Sequence, residues 1–155
     1  MVDSGGKWRA LGIVGVAELL AMALWFSASA VAPELTDLWG LTAGEAALLT
    51  SAVQIGFVVG AVISAVSTLS DTVPPKYLFA VASMLGAAST ASLALFVESA
   101  APAIALRFLT GVALAGVYPT GMKLVSGWFR TGRGLAIGAL VGALTVPFVL
   151  LGDLV

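Results

Sequence analysis

The sequence contains no cysteine and no histidine, and only a tenth of its residues are charged. Without cysteine no disulfide, thiolate nucleophile or thiolate metal site can form. Without histidine the usual imidazole base and the commonest metal ligand are missing as well. The common hydrolase dyads are therefore excluded. An aspartyl-type membrane protease would need two embedded acids on facing helices, and Glu18 is the one clear embedded acid. We read no enzyme, no cofactor and no metal from this composition. Basic blocks of the kind that bind nucleic acid are missing too, and the net charge of −1 points to no partner.

Hydrophobic residues are what the chain has, at 60%. A soluble domain would carry about a quarter charged residues, so the partner read here is a lipid bilayer. In that solvent the useful count is of apolar segments of ~20 residues. After a polar cytoplasmic leader (1–9), five runs fit: about 10–32, 46–70, 77–97, 103–127 and 134–154. The fold class read from this is an all-α polytopic membrane protein with five transmembrane helices.

Lys7 and Arg9 precede the first run, which only Glu18 interrupts and Pro33 stops. A secretory signal has the same outline, with Ala28-Ser29-Ala30 as a cleavage site. The stretch from Arg9 to Ala28 exceeds the usual signal core, which favours a retained helix. The segment Pro33 to Gly44 reads as a loop. Thr42 or Gly44 is placed to cap the second helix, and Glu45 suits its positive end. Within that helix Gly56 and Gly60 form a small-xxx-small pair, and Gln54 is its strongly polar side chain. Pro74-Pro75 end the following turn. The third run carries no charge, and Pro102 suits the first turn of the fourth helix. In the last run Gly134, Gly138 and Gly142 stand four apart, with Pro147 late.

Counting loops alternately puts Lys7, Arg9, Lys76, Arg130 and Arg133 on one side. The opposite loops hold Glu34, Asp37, Glu45 and Glu98. The positive-inside rule then places the amino terminus in the cytoplasm, and a multi-pass protein of the cell (plasma) membrane is expected.

From Arg107 to Gly138, across the fourth run and into the fifth, the chain reads RFLTGVALAGVYPTGMKLVSGWFRTGRGLAIG. An arginine at membrane depth costs several kcal/mol unless it faces a bundle interior or a watery cavity. Gly111, Ala115, Gly116 and Gly121 suit close helix approach. Pro119 removes a rung of the hydrogen-bond ladder, and such breaks lie where a cavity is lined. Trp128-Phe129 and the arginines after them mark an interfacial end. This order, Arg107 then Gly111 and Gly116 and a closing Trp-Phe with arginines, resembles the fourth helix of the major facilitator superfamily. The turn with Asp71 and Lys76 also resembles a family loop. Here Ser67 stands where a glycine is usual, and Thr72 replaces a basic residue.

The resemblance implies a secondary transporter moving a small molecule or ion by alternating access. The family's transport unit has twelve helices in two halves, so the chain looks like a truncated N-terminal half, with a complementary C-terminal half as partner. A non-transporting membrane scaffold or assembly protein is the alternative. Glu18, Gln54, Arg107 and Tyr118 are the candidates for a substrate or proton pathway. Asp71, Lys76, Arg130 and Arg133 are the candidates for a conformational latch. From the run boundaries, Glu18 lies ~13 Å and Arg107 ~7 Å from opposite faces of a ~30 Å core. They can therefore pair across ~10 Å with long side chains or a water; the alternative is that each snorkels to its nearer interface.

Overall fold

Apolar runs become helices wherever the bilayer leaves the backbone no other hydrogen-bond partner. The positions of capping and turn residues then decide where each helix stops. The structure is a computed structural model and describes residues 4–129, 132 and 134–142. The elements are α1 (Ser4–Ala30), α2 (Ala32–Trp39), α3 (Ala43–Val66), α4 (Leu69–Thr72), α5 (Pro75–Phe96) and α6 (Ala100–Trp128). Residues 134–142 are helical as well. Among the described residues four helices are long and apolar enough to cross a membrane: Gly6–Ala30, Ala43–Val66, Pro75–Phe96 and Ala100–Trp128. The fifth expected run, 134–154, is helical through residue 142; the remainder, with Pro147, lies outside the described residues.

The boundaries shift by a few residues from the sequence reading throughout, and three of the differences have a clear local reason. The first helix begins in the polar leader, at Ser4. There Lys7 Nζ sits 5.7 Å from the Phe129 ring, and Trp8 meets Phe129 edge-on at 5.6 Å. The expected loop after Pro33 is largely the helix α2. Pro33 occupies its first turn beside Glu34, where a missing N–H costs nothing and an acid suits the dipole. Leu35 and Trp39, one turn apart, rest on the buried cluster of Ala28, Leu49 and Ala103. Gly40 closes α2 in the left-handed region, φ 62°, a helix end that glycine adopts at no steric cost. The second run stops at Val66 rather than Ser70. Thr68 takes a left-handed φ of 49° and separates α3 from the single turn of α4.

Thr42 is the cap of α3. Its Oγ1 accepts from the Glu45 N–H at 3.3 Å, while the Glu45 carboxylate accepts from the Thr42 N–H at 2.9 Å. That reciprocal box satisfies two otherwise orphaned donors.

The helix α6 is the hub, packed against α3, α5 and α1. It runs through Pro119 without a break, although the proline leaves the Ala115 carbonyl without its usual donor. The closest approach is to α3, and glycines make it. A methyl on Gly56 would strike the Phe108 carbonyl oxygen, and one on Gly111 would strike that of Val53. On Gly60 it would come within 2.8 Å of the Val112 oxygen. Glycines on both helices therefore bring the two backbones together. Ala28 with Ala103, Ala21 with Leu114 and Val117, and Leu11 with Val125 and Phe129 mark three levels of the bundle. Numbers rise along α1 as they fall along α6, so the two helices are antiparallel.

Candidate functional site

Two fully embedded charges sit in this interior, and the packing treats them differently. Arg107 projects from the upper part of α6 and is 1% exposed. Its guanidinium donates to three main-chain carbonyls on two other helices. Nη1 reaches Leu24 O at 2.8 Å, Nη2 reaches Trp25 O at 2.5 Å, and Nε reaches Leu49 O at 3.4 Å. The two α1 carbonyls are consecutive, so the flat fork of the guanidinium grips one short piece of backbone. Carbonyl dipoles supply the negative potential that a buried cation needs.

Glu18 is 0% exposed, and neither carboxyl oxygen has a hydrogen-bond partner among the described residues. It fills a notch on α6 that exists because residue 121 is glycine. A methyl there would collide with Glu18 Oε1 and would approach the Phe79 ring to 3.3 Å. The expected pairing of Glu18 with Arg107 is therefore not what the structure contains. The guanidinium is taken up by main-chain carbonyls, and the carboxyl is held by shape alone. Snorkelling does not describe either group, since both are buried.

Tyr118 lies between these two levels. Its ring meets Phe57 at 6.3 Å, and Phe57 meets Trp25 at 5.3 Å, which links α6, α3 and α1. The Tyr118 hydroxyl is buried without a partner among the described residues, as are the hydroxyls of Ser83, Thr90 and Thr120. On α6, Tyr118 stands one turn before Gly121, where Glu18 is seated. Buried polar atoms are normally paired. Glu18 and these hydroxyls are therefore the exceptions to that rule among the described residues.

Gln54 does not join this group. It lies on the exposed face of α3, on the far side from Gly56 and its contact with Phe108. A cleft of about 170 Å³ opens between α3, α5 and α6, lined by Gly60, Ser64, Leu78, Ala82, Val112 and Gly116. Gly60 and Gly116, read from the sequence as close-packing positions, line it, whereas none of the candidate pathway or latch residues does.

At the other end of α6, Asp71 on α4 accepts a 2.9 Å salt bridge from Lys123 Nζ. Of the expected latch cations, Lys76 lies instead over the Tyr77 ring at 4.8 Å, while Arg130 and Arg133 fall outside the described residues. Lys123 was not singled out by the sequence reading. It stands five residues before Trp128, inside an apolar run, which is where a lysine buries its stem and sends its charge to an interface.

A bundle of apolar spanning helices with an ionisable interior defines a class: a multi-pass helical membrane protein that accommodates charge at membrane depth. The family model of the Major Facilitator Superfamily matches residues 14–152, and the chain belongs to that superfamily. No curated protein and no solved structure matches the chain. It is accordingly a transporter of the major facilitator kind, resident in a lipid bilayer, in a family of transporters rather than enzymes.

Proposed function

We propose that the chain forms N-terminal helices of a secondary transporter that moves a small solute by alternating access, with Glu18 as the embedded group that takes up and releases a coupling proton. The observation that carries this reading is the seat of Glu18. The carboxyl is buried, has no hydrogen-bond partner among the described residues and rests against Gly121, one turn from Tyr118 on α6. An ionised carboxylate is costly in such a seat and a neutral one is not. A change of proton is thereby tied to a change of surroundings, which is what coupling requires.

The remainder of the reading rests on the helix pattern. Five spans, counting 134–154, run from a cytoplasmic amino terminus in the plasma membrane, with the basic residues on the inner side. Asp71 with Lys123 serves as the inner latch between α4 and α6, one that can form in one state and open in another. Lys76, Arg130 and Arg133 surround that latch in sequence. The family's transport unit has twelve helices, so complementary helices supply the rest of the pathway.

The test is reconstitution in proteoliposomes with an imposed proton gradient. The chain alone is expected to show no saturable uptake, and co-insertion of complementary helices restores it. In the restored system Glu18→Gln removes gradient-driven accumulation while leaving solute exchange at equal concentrations. Saturable, gradient-driven uptake by the purified chain alone would overturn the need for a complement. Undiminished accumulation by Glu18→Gln would remove Glu18 from the pathway.

A further inference from the structure

We infer that Arg107 is a register pin between α1 and α6: a positioning residue that acts through main-chain carbonyls, and not a ligand for the transported solute. Three observations converge on this. The side chain is 1% exposed, and its Nε, Nη1 and Nη2 each donate to backbone, on α3 once and on α1 twice. A substrate ligand keeps its donors free for the substrate, whereas every nitrogen of this guanidinium already gives a hydrogen to backbone, three of its five N–H groups in all.

The second observation is the choice of acceptors. Leu24 O and Trp25 O are consecutive carbonyls of one helix. Neighbouring residues on a helix differ by ~1.5 Å along the axis and ~100° around it. A slip of α1 by a single residue therefore turns both oxygens away from a planar fork. A flexible ammonium could follow such a slip; a guanidinium, whose donors are fixed in one plane, could not.

The third is that one register satisfies two distant contacts. On α6, Arg107 and Gly121 are separated by ~21 Å of helix, and on antiparallel α1 Glu18 and Leu24–Trp25 are separated by ~10 Å. The ~11 Å difference is within the combined reach of an arginine and a glutamate side chain, both extending along the axis toward the Gly121 level. When the fork holds Leu24 and Trp25, Glu18 falls on Gly121, and the Trp25 ring falls on Phe57. The pin thus seats the carboxyl without touching it. This consequence rests on the proposed role of Glu18, whereas the pin itself does not.

The absence of native cysteine allows a test that measures no transport. Single cysteines are placed at Ala21 and Ala28 on the buried face of α1, and at Ala115 on α6, which faces Gly60 of α3; all three alanines are at most 4% exposed. The full chain in lipid vesicles is then reacted with a membrane-permeant maleimide, with Arg107 intact, as Arg107→Gln and as Arg107→Lys. Hydrogen bonds to a charged group are stronger than those between neutral partners. Loss of the fork is therefore expected to raise the modification rate at positions 21 and 28 by roughly tenfold or more, with position 115 unchanged. Lysine is expected to behave like glutamine, because the planar fork and not the charge sets the register. Protection retained in Arg107→Lys would overturn the proposal by showing that charge suffices. Equal deprotection at position 115 would overturn it too, since Arg107 would then hold the whole bundle. Unchanged rates at 21 and 28 in Arg107→Gln would refute the pin outright. Each result is independent of whether Glu18 carries a proton.

Discussion

Replacing Gly121 by alanine tests whether the Glu18 seat is built by shape. The added methyl would occupy the space of Glu18 Oε1, with the Phe79 ring behind it. Overfilling a packed interior costs about 1–3 kcal/mol. Alanine returns up to ~1 kcal/mol of helix propensity over glycine, so Gly121→Ala alone is expected to lose about 0–2 kcal/mol net. That range overlaps zero, and a single mutant would decide nothing. A double-mutant cycle separates the two effects. In a Glu18→Ala background the carboxyl is gone and only the propensity gain remains, so Gly121→Ala should be neutral or stabilising by up to ~1 kcal/mol. In a Glu18→Gln background the side chain keeps its length, so the steric loss should persist. The readout is reversible unfolding in mild detergent followed by the loss of helical circular dichroism. A coupling of about 1 kcal/mol or more with alanine and none with glutamine establishes a steric notch. Additivity in both backgrounds would refute it.

Gly56→Ala and Gly111→Ala are expected to destabilise by more than Gly121→Ala, about 2 kcal/mol or beyond, because the obstacles are the carbonyls of Phe108 and Val53 rather than a side chain that can swing away; thermal unfolding in detergent measures this. Thr68→Gly should stabilise by about 1 kcal/mol, since a β-branched residue holds φ at 49° between α3 and α4. Asp71→Asn should change stability by less than ~1 kcal/mol, because the bridge to Lys123 is 78% and 45% exposed on its two sides; a larger effect on uptake than on unfolding would mark a latch. A cytoplasm-only reporter should be active after Pro75 and silent after Asp37, and activity at Asp37 would reverse the orientation.

The sequence made the hub helix legible and left its partners hidden. Arg107, Gly111 and Gly116 in one apolar run told which helix sits innermost, because charge and missing side chains both need protein neighbours. The pair Gly56 and Gly60 told which face of α3 meets it. The acceptors of Arg107 were not legible, since every residue has a carbonyl and no side chain advertises that it will be used. Pairing Glu18 with Arg107 was the natural expectation from charge alone, and it failed for that reason. The latch partner was missed differently. Lys76, Arg130 and Arg133 are near Asp71 or at a helix end in the sequence, whereas Lys123 is hidden inside an apolar run and comes to Asp71 only by folding. The α2 helix could have been read from Pro33-Glu34 and the Leu35–Trp39 spacing. Gln54 looked functional by polarity, and only packing shows that it faces outward.

The unequal treatment of the two embedded charges arises from what each can exchange. A guanidinium does not lose its proton in a protein, so burying one is tolerable only as a permanent arrangement with donors satisfied. Backbone carbonyls are suited to that purpose, because they move only when a whole helix moves. A carboxyl can lose its charge and keep its shape, so it can sit in a seat made by packing and leave it when its proton leaves. The fixed charge therefore belongs on the element that must keep register, and the variable one belongs where a small displacement changes its surroundings. Arg107 gripping Leu24 and Trp25, with Glu18 further down the same helix against Gly121, is that arrangement. It ties any movement of α1 relative to α6 to both groups at once. A transporter built on these helices would then respond to proton occupancy at Glu18 through the position of α1, without the two charges ever meeting.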